Sequence, residues 1–186
     1  MMADTDLDDD VNLNEDEDLG EFDEDEGIDF EHLVPGDGAY EVEIKDVEWR
    51  DYNRESDGNR IRALNVRVQL VTDDEFNGLL VSKFIYMGDQ QLNPIGRKQM
   101  KALAEACNIT VEGQMSLRDF GPVSQTIGTR QARVLSVFSG LRCGVFLKEY
   151  ERTYQGKTVT GTEPDSFITL DRLAEIQNTE LDPEPY

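Results

Sequence analysis

The sequence predicts a mainly β protein: a small five-stranded barrel with one helix between strands 3 and 4, carried between acidic termini. Three observations predict it. Apolar and polar residues alternate in several segments separated by turn-forming clusters. The period changes to a helical one in a single stretch, residues 95–108. The net charge of −22 lies outside the alternating region: residues 1–32 hold sixteen Asp/Glu and no Lys or Arg, whereas residues 33–162 hold 17 acidic and 17 basic residues.

The barrel region opens at Pro35-Gly36-Asp37-Gly38. Tyr40, Val42 and Ile44 then alternate with Glu41, Glu43 and Lys45, a half-buried strand. The apolar phase moves to Val47 and Trp49, a slip that a β-bulge produces. Asn53 to Asn59 is a hairpin turn, signalled by Asp57-Gly58. A second strand runs from Arg60 to Val71 with Leu64, Val66, Val68 and Leu70 facing in. A turn closing on Asn77-Gly78 leads to a third strand, Leu79 to Met87. Asn93 is a helix N-cap with Pro94 at N1 and Asn108 a C-cap; Met100, Leu103, Ala104 and Cys107 form the apolar stripe between them. Ser116–Phe120 reads as a turn of helix, and Gln131–Phe138 fits strand or helix equally. Leu141–Arg152 alternates as a strand, Thr153–Thr158 turns, and Val159–Leu170 gives a short last strand. Three strands, a helix and two strands is the element order of an OB-fold. The reading divides the chain into an acidic, disordered segment (1–32), an OB-like domain (33–170) and an acidic, Pro-containing tail (171–186) that begins with a helical stub.

Composition excludes several classes. No run of about 18 apolar residues exists to span a membrane. The acidic N-terminus has neither the basic n-region nor the apolar h-region of a secretory signal, which points to a cytoplasmic protein. Cys107 and Cys143 read as buried, reduced thiols. A single histidine, His32, rules out sites needing two imidazoles. There is no glycine-rich phosphate loop and no nucleophile elbow, so the expectation is a non-enzyme without cofactor or metal. Glu41 and Glu43 would suit a metal-dependent nuclease, but on an alternating strand they read as a solvated face. Asp4, Asp6, Asp8 and Glu15 match a calcium loop by spacing, yet Asp9 stands where its sharp turn requires glycine.

The positive signal is a mixture of cations and rings. Arg50, Arg54, Arg60, Arg62, Arg67 and Lys83 fall among Trp49, Tyr52, Phe84 and Tyr86. The late hairpin repeats the mixture with Arg142, Lys148, Tyr150, Arg152, Tyr154 and Lys157. Cations track phosphates and exposed rings stack on unpaired bases, so this surface is expected to bind single-stranded nucleic acid. From this set the expected DNA contacts are Trp49, Arg50, Tyr52, Arg54, Arg60, Arg62, Arg67, Lys83, Tyr86, Lys148, Tyr150, Arg152, Tyr154 and Lys157. The competing reading places Tyr40, Trp49 and Phe84 in the core and pairs the arginines with Glu41, Glu48 or Glu55. A tethered polyanion sits at high local concentration near such a surface and mimics the ligand's charge. The acidic termini are therefore expected to compete with DNA or to recruit replication or recombination proteins, the latter through a C-terminal tip of Asp182, Glu184 and Tyr186.

Pro35-Gly36-x-Gly38-x-Tyr40 opening a strand, Phe76-Asn77-Gly78 before the third strand, Ala104-Glu105-Ala106-Cys107-Asn108-Ile109 ending the helix, and Tyr150 with Tyr154-Gln155-Gly156-Lys157 in the late hairpin form a recognisable pattern. It resembles a bacteriophage family grouped with OB-fold single-stranded-DNA-binding proteins of replication and recombination. The resemblance spans roughly residues 34–170. It implies DNA binding and assigns no individual contact residue. The long acidic N-terminal extension departs from it, since acidic tails in such proteins are usually C-terminal. Two other functions stand beside this one: an acidic DNA mimic that inhibits a host DNA-binding enzyme, and the nuclease using Glu41 or Glu43. Self-association is left open.

Overall fold

The structure, a computed structural model, describes residues 35–181 except 90, 114 and 115, and gives only the backbone of 154, 180 and 181. The acidic segment 1–32 and the tip residues Asp182, Glu184 and Tyr186 lie outside the described residues.

The described chain is mainly β, one antiparallel sheet of seven strands with two α-helices. The strands are β1 (Gly38–Asn53), β2 (Arg60–Leu70), β3 (Leu80–Gly88), β4 (Pro122–Ile127), β5 (Arg130–Leu135), β6 (Arg142–Tyr154) and β7 (Lys157–Ile168). Helix α1 (Pro94–Ala106) follows β3, and α2 (Leu170–Leu181) ends the fold. One path through the sheet runs β3-β2-β1-β5-β4, while β6 pairs with the other half of β1 and with β7.

The long first strand serves both halves of the sheet because it bends at a bulge. Val42 faces Leu70 and Ile44 faces Val68; the register then shifts between Ile44 and Asp46. Lys45 is the extra, exposed residue. Beyond it Val47 faces Val66 and Trp49 faces Leu64. The inward residues Val42, Ile44, Val47, Leu64, Val66 and Val68 are wholly buried. Each such side chain contributes about 1.5–3 kcal/mol relative to exposure, so this register is set by the core.

Helix α1 is capped as its sequence requires. Asn93 Oδ1 accepts from the Ile95 amide at 3.0 Å, and Pro94 occupies N1. Leu103, Ala104 and Cys107 are buried against the sheet. The helix lies so close to β3 that a Cβ on Gly96 would stand 2.2 Å from the Tyr86 carbonyl oxygen. It also packs on β7. At that edge Lys83 Nζ on β3 lies 3.8 Å from Glu163 Oε1 on β7. No ladder joins the two strands, and the sheet is not closed.

Two features differ from the expectation. Seven strands stand where five are expected, because residues 122–135 form the hairpin β4–β5. Every residue of β4 is exposed or half-exposed, so the strand carries no apolar alternation to announce it. The folded unit also runs past residue 170. In α2, Leu173 is buried, within van der Waals reach of the Gly144 position on β6, so residues 170–181 belong to the fold rather than to an extended tail.

Candidate nucleic-acid interface

Directly opposed residues in an antiparallel sheet share a face. Past the bulge, the outward row of β1 is Asp46, Glu48, Arg50 and Tyr52. Glu48 faces Asn65, which faces Phe84; Arg50 faces Ala63, which faces Tyr86; Asp46 faces Arg67, which faces Ser82. Tyr52, Phe84 and Tyr86 are 45%, 49% and 39% exposed. These rings are large and stand half in water, although Ile61 and Ala63, opposite Tyr52 and Tyr86, are buried.

Two carboxylates lie beneath the cations of this face. Asp46 and Glu48 are both buried. Arg67 grips Asp46 through its Nε, at 3.0 and 2.9 Å from the two carboxylate oxygens, and through Nη2. Arg130, arriving on β5, grips Glu48 through Nη1 and through Nη2 at 2.7 Å from Oε2. Arg50 Nη2 lies 3.3 Å from the same oxygen. Hydrogen bonds from Arg130 hold the Glu48 carboxyl below the usual carboxylate range, against the upward push of burial. The same bonds raise the already high pKa of Arg130, and Asp46 does this for Arg67. Three guanidiniums are thus fixed on two carboxylates. Their side chains remain 35% (Arg50), 39% (Arg67) and 48% (Arg130) exposed, so each keeps an outward surface for an anion. A planar guanidinium held on one edge still offers donors from another.

The sequence-predicted contacts separate into four places. Arg50, Tyr52, Arg67 and Tyr86 share the outer face just described. Arg54 and Arg60 lie on the β1–β2 hairpin and are engaged by neighbours: Arg54 with Asp57 at 3.2 Å, Arg60 with both Asp51 oxygens at 2.8 and 2.7 Å. Trp49, Arg62 and Lys83 occupy inward register positions, which removes them from the outer face. Trp49 packs on the core, and Lys83 reaches Glu163 instead. The third group is on the β6–β7 hairpin. Lys148, Tyr150, Arg152 and Lys157 are exposed there, with the Arg152 guanidinium 5.5 Å from the Tyr150 ring centroid. That ring covers Gly161, where a Cβ would stand 2.5 Å from Tyr150 Cζ. Tyr154 is on the same hairpin by its backbone.

Trp49 and Arg62 belong to a fourth place, an open groove of about 660 Å³ between the inward side of the sheet and α1. Met87, Met100, Leu117 and Phe120 add apolar surface to it. Arg97, Lys98 and Lys101 line it from the helix, and among the described residues no acidic one does.

Sequence reasoning missed two members of the outer face. Phe84 stands among the rings of the mixed sequence surface but not among the expected contacts, and its position opposite Asn65 turns it outward rather than into the core. Arg130 stands just before Gln131–Phe138, the stretch that fits strand or helix equally; the Gly128-Thr129 turn between two strands is its only signal. Glu41 and Glu43, the nuclease candidates, contact Arg142 and Lys45, each at 3.1 Å. Among the described residues no three His, Cys, Asp or Glu side chains converge as a metal site would require. No helix among them is long and apolar enough to cross a membrane. No family model matches the chain, and no curated protein matches it either.

Proposed function

We propose that this protein binds single-stranded DNA on the outer face of β1, β2 and β3, as a phage protein of replication or recombination working in the host cytoplasm. Its acidic termini act against DNA or hold partner proteins. One observation carries the reading: three half-exposed guanidiniums, fixed on buried Asp46 and Glu48, share a sheet face with exposed Phe84 and Tyr86. Fixed cations beside free rings suit a strand whose phosphates and unpaired bases alternate. The order β1-β2-β3, α1, β6-β7, with β6 returning to β1 and β7 lying near β3, supports the five-stranded OB reading. In that reading β4–β5 is an added hairpin that supplies Arg130.

The test is a fluorescence-anisotropy titration of labelled oligo-dT with the full chain at several salt concentrations. Three phosphates neutralised give a log–log salt slope of about −2. Phe84→Ala and Tyr86→Ala each weaken binding by about 5- to 150-fold, the equivalent of roughly 1–3 kcal/mol per stacked base. A salt-independent signal, or full affinity in both variants, would overturn the reading.

A further inference from the structure

The groove beside α1 carries a chemistry of its own. Arg62, Arg97 and Lys98 line it with no ion pair among the described residues; Lys101 has only Glu105 at 3.6 Å. The Nε and Nη2 of Arg62 are enclosed by protein and have no hydrogen-bond acceptor. A desolvated, charged donor without an acceptor is unfavourable, and an incoming carboxylate is the group that relieves it. Between these cations the surface is apolar, and beside it Leu92 and Ile95 stand 47% and 66% exposed. A free inorganic anion would leave that surface in water. The occupant this surface suits is a chain that alternates carboxylates with large apolar side chains.

This protein holds such a chain. Residues 13–22 place Leu13, Leu19 and Phe22 among Glu15, Asp16, Glu17, Asp18 and Glu21. The tether also selects this stretch over the one nearer the fold. From Pro35 to Trp49 an extended chain covers at most about 46 Å, and less because β1 bends at its bulge. The link from Phe22 to Pro35 reaches about 43 Å, whereas the link from Phe30 reaches only about 17 Å. We infer that residues 13–22 dock in the α1 groove of their own chain, with Phe22 beside Trp49 and the carboxylates against Arg62, Arg97 and Lys98. Covalent attachment presents the segment at an effective concentration in the millimolar range, so contacts too weak for a free peptide suffice. The docking site lies on the inward side of β1 and β2, so the inference stands whether or not the outer face binds DNA.

The experiment is photocross-linking in the full chain, without nucleic acid, with p-benzoylphenylalanine placed at Phe22 and heavy- and light-isotope chains mixed. The expected result is adducts to Met87 or Met100 within one chain. In the double variant Arg97→Glu, Lys98→Glu, both exposed positions, these adducts fall at least fivefold. Adducts to Phe84 or Tyr86, adducts between heavy and light chains, or no adduct above background would each overturn the inference. So would adducts insensitive to the charge reversal.

Discussion

Glu48→Gln tests whether the outer face is organised from beneath. Glu48 is 3% exposed and accepts from Arg130 through both oxygens and from Arg50 at 3.3 Å. Glutamine keeps the volume and one acceptor but turns an NH2 group toward a guanidinium, so at least one charge-assisted bond is lost. Such a bond contributes about 1.5–3 kcal/mol. Arg130 is half in water and regains part of this by solvation, which discounts the loss. Removing a buried negative charge offsets a little more. The expected net destabilisation is about 1–2 kcal/mol, or roughly 2–8 °C in Tm for a domain of this size. The pH dependence supplies the second half of the test. The Glu48 carboxyl is lowered in the folded protein, so its stabilisation is present above the ordinary carboxylate pKa and is lost as pH falls through the lowered value. Thermal melts from pH 7 to pH 3 should therefore fall more steeply below about pH 4 in the wild type than in the variant. Equal Tm at pH 7 together with superimposable acid limbs would refute the argument that an ionised Glu48 holds these cations.

Three other outcomes follow from the packing. Gly96→Ala sets a methyl against the Tyr86 carbonyl oxygen, where 2.2 Å separates them, and should destabilise by more than about 2 kcal/mol in urea titrations; a silent substitution would mean α1 does not sit this close to β3. Leu64→Ala, at a wholly buried position, should cost about 2–5 kcal/mol by the same assay, and less than 1 kcal/mol would place Leu64 outside the core. Cys107 and Cys143 are buried, and the hydrogen bond that the Cys143 thiol donates to Cys107, together with burial, raises the Cys143 thiol pKa. Native protein should therefore react with Ellman's reagent only at its unfolding rate, and fast modification of Cys143 would contradict its placement.

The strand meander, the bulge and the caps of α1 were legible because core burial and capping chemistry write directly into local pattern. The slip from Ile44 to Val47 locates Lys45, and Asn93-Pro94 locates the start of the helix. The candidate interface was half legible. Proximity in sequence grouped Trp49 with Arg50 and Tyr52, but strand alternation sends Trp49 inward and the other two outward. Arg54 and Arg60 looked free because their partners, Asp57 and Asp51, become neighbours only when the hairpin closes. Arg130 was hidden for a different reason. Its hairpin meets β1 over only two register pairs, and the first strand of that hairpin carries no apolar alternation to announce it.

Lys45 has a role larger than its own exposed side chain. The strand after it alternates with opposite phase to the strand before it, so a single uncounted residue decides which solvent every later side chain meets. Deleting Lys45 would exchange the tenants of the two faces, sending Asp46, Glu48 and Arg50 into the core and Val47 and Trp49 out. Evolution can therefore redraw this surface without altering one side chain in it, simply by sliding the bulge along β1. Among relatives, the place where the alternation slips should tell more about the function of the outer face than the identity of any one residue on it.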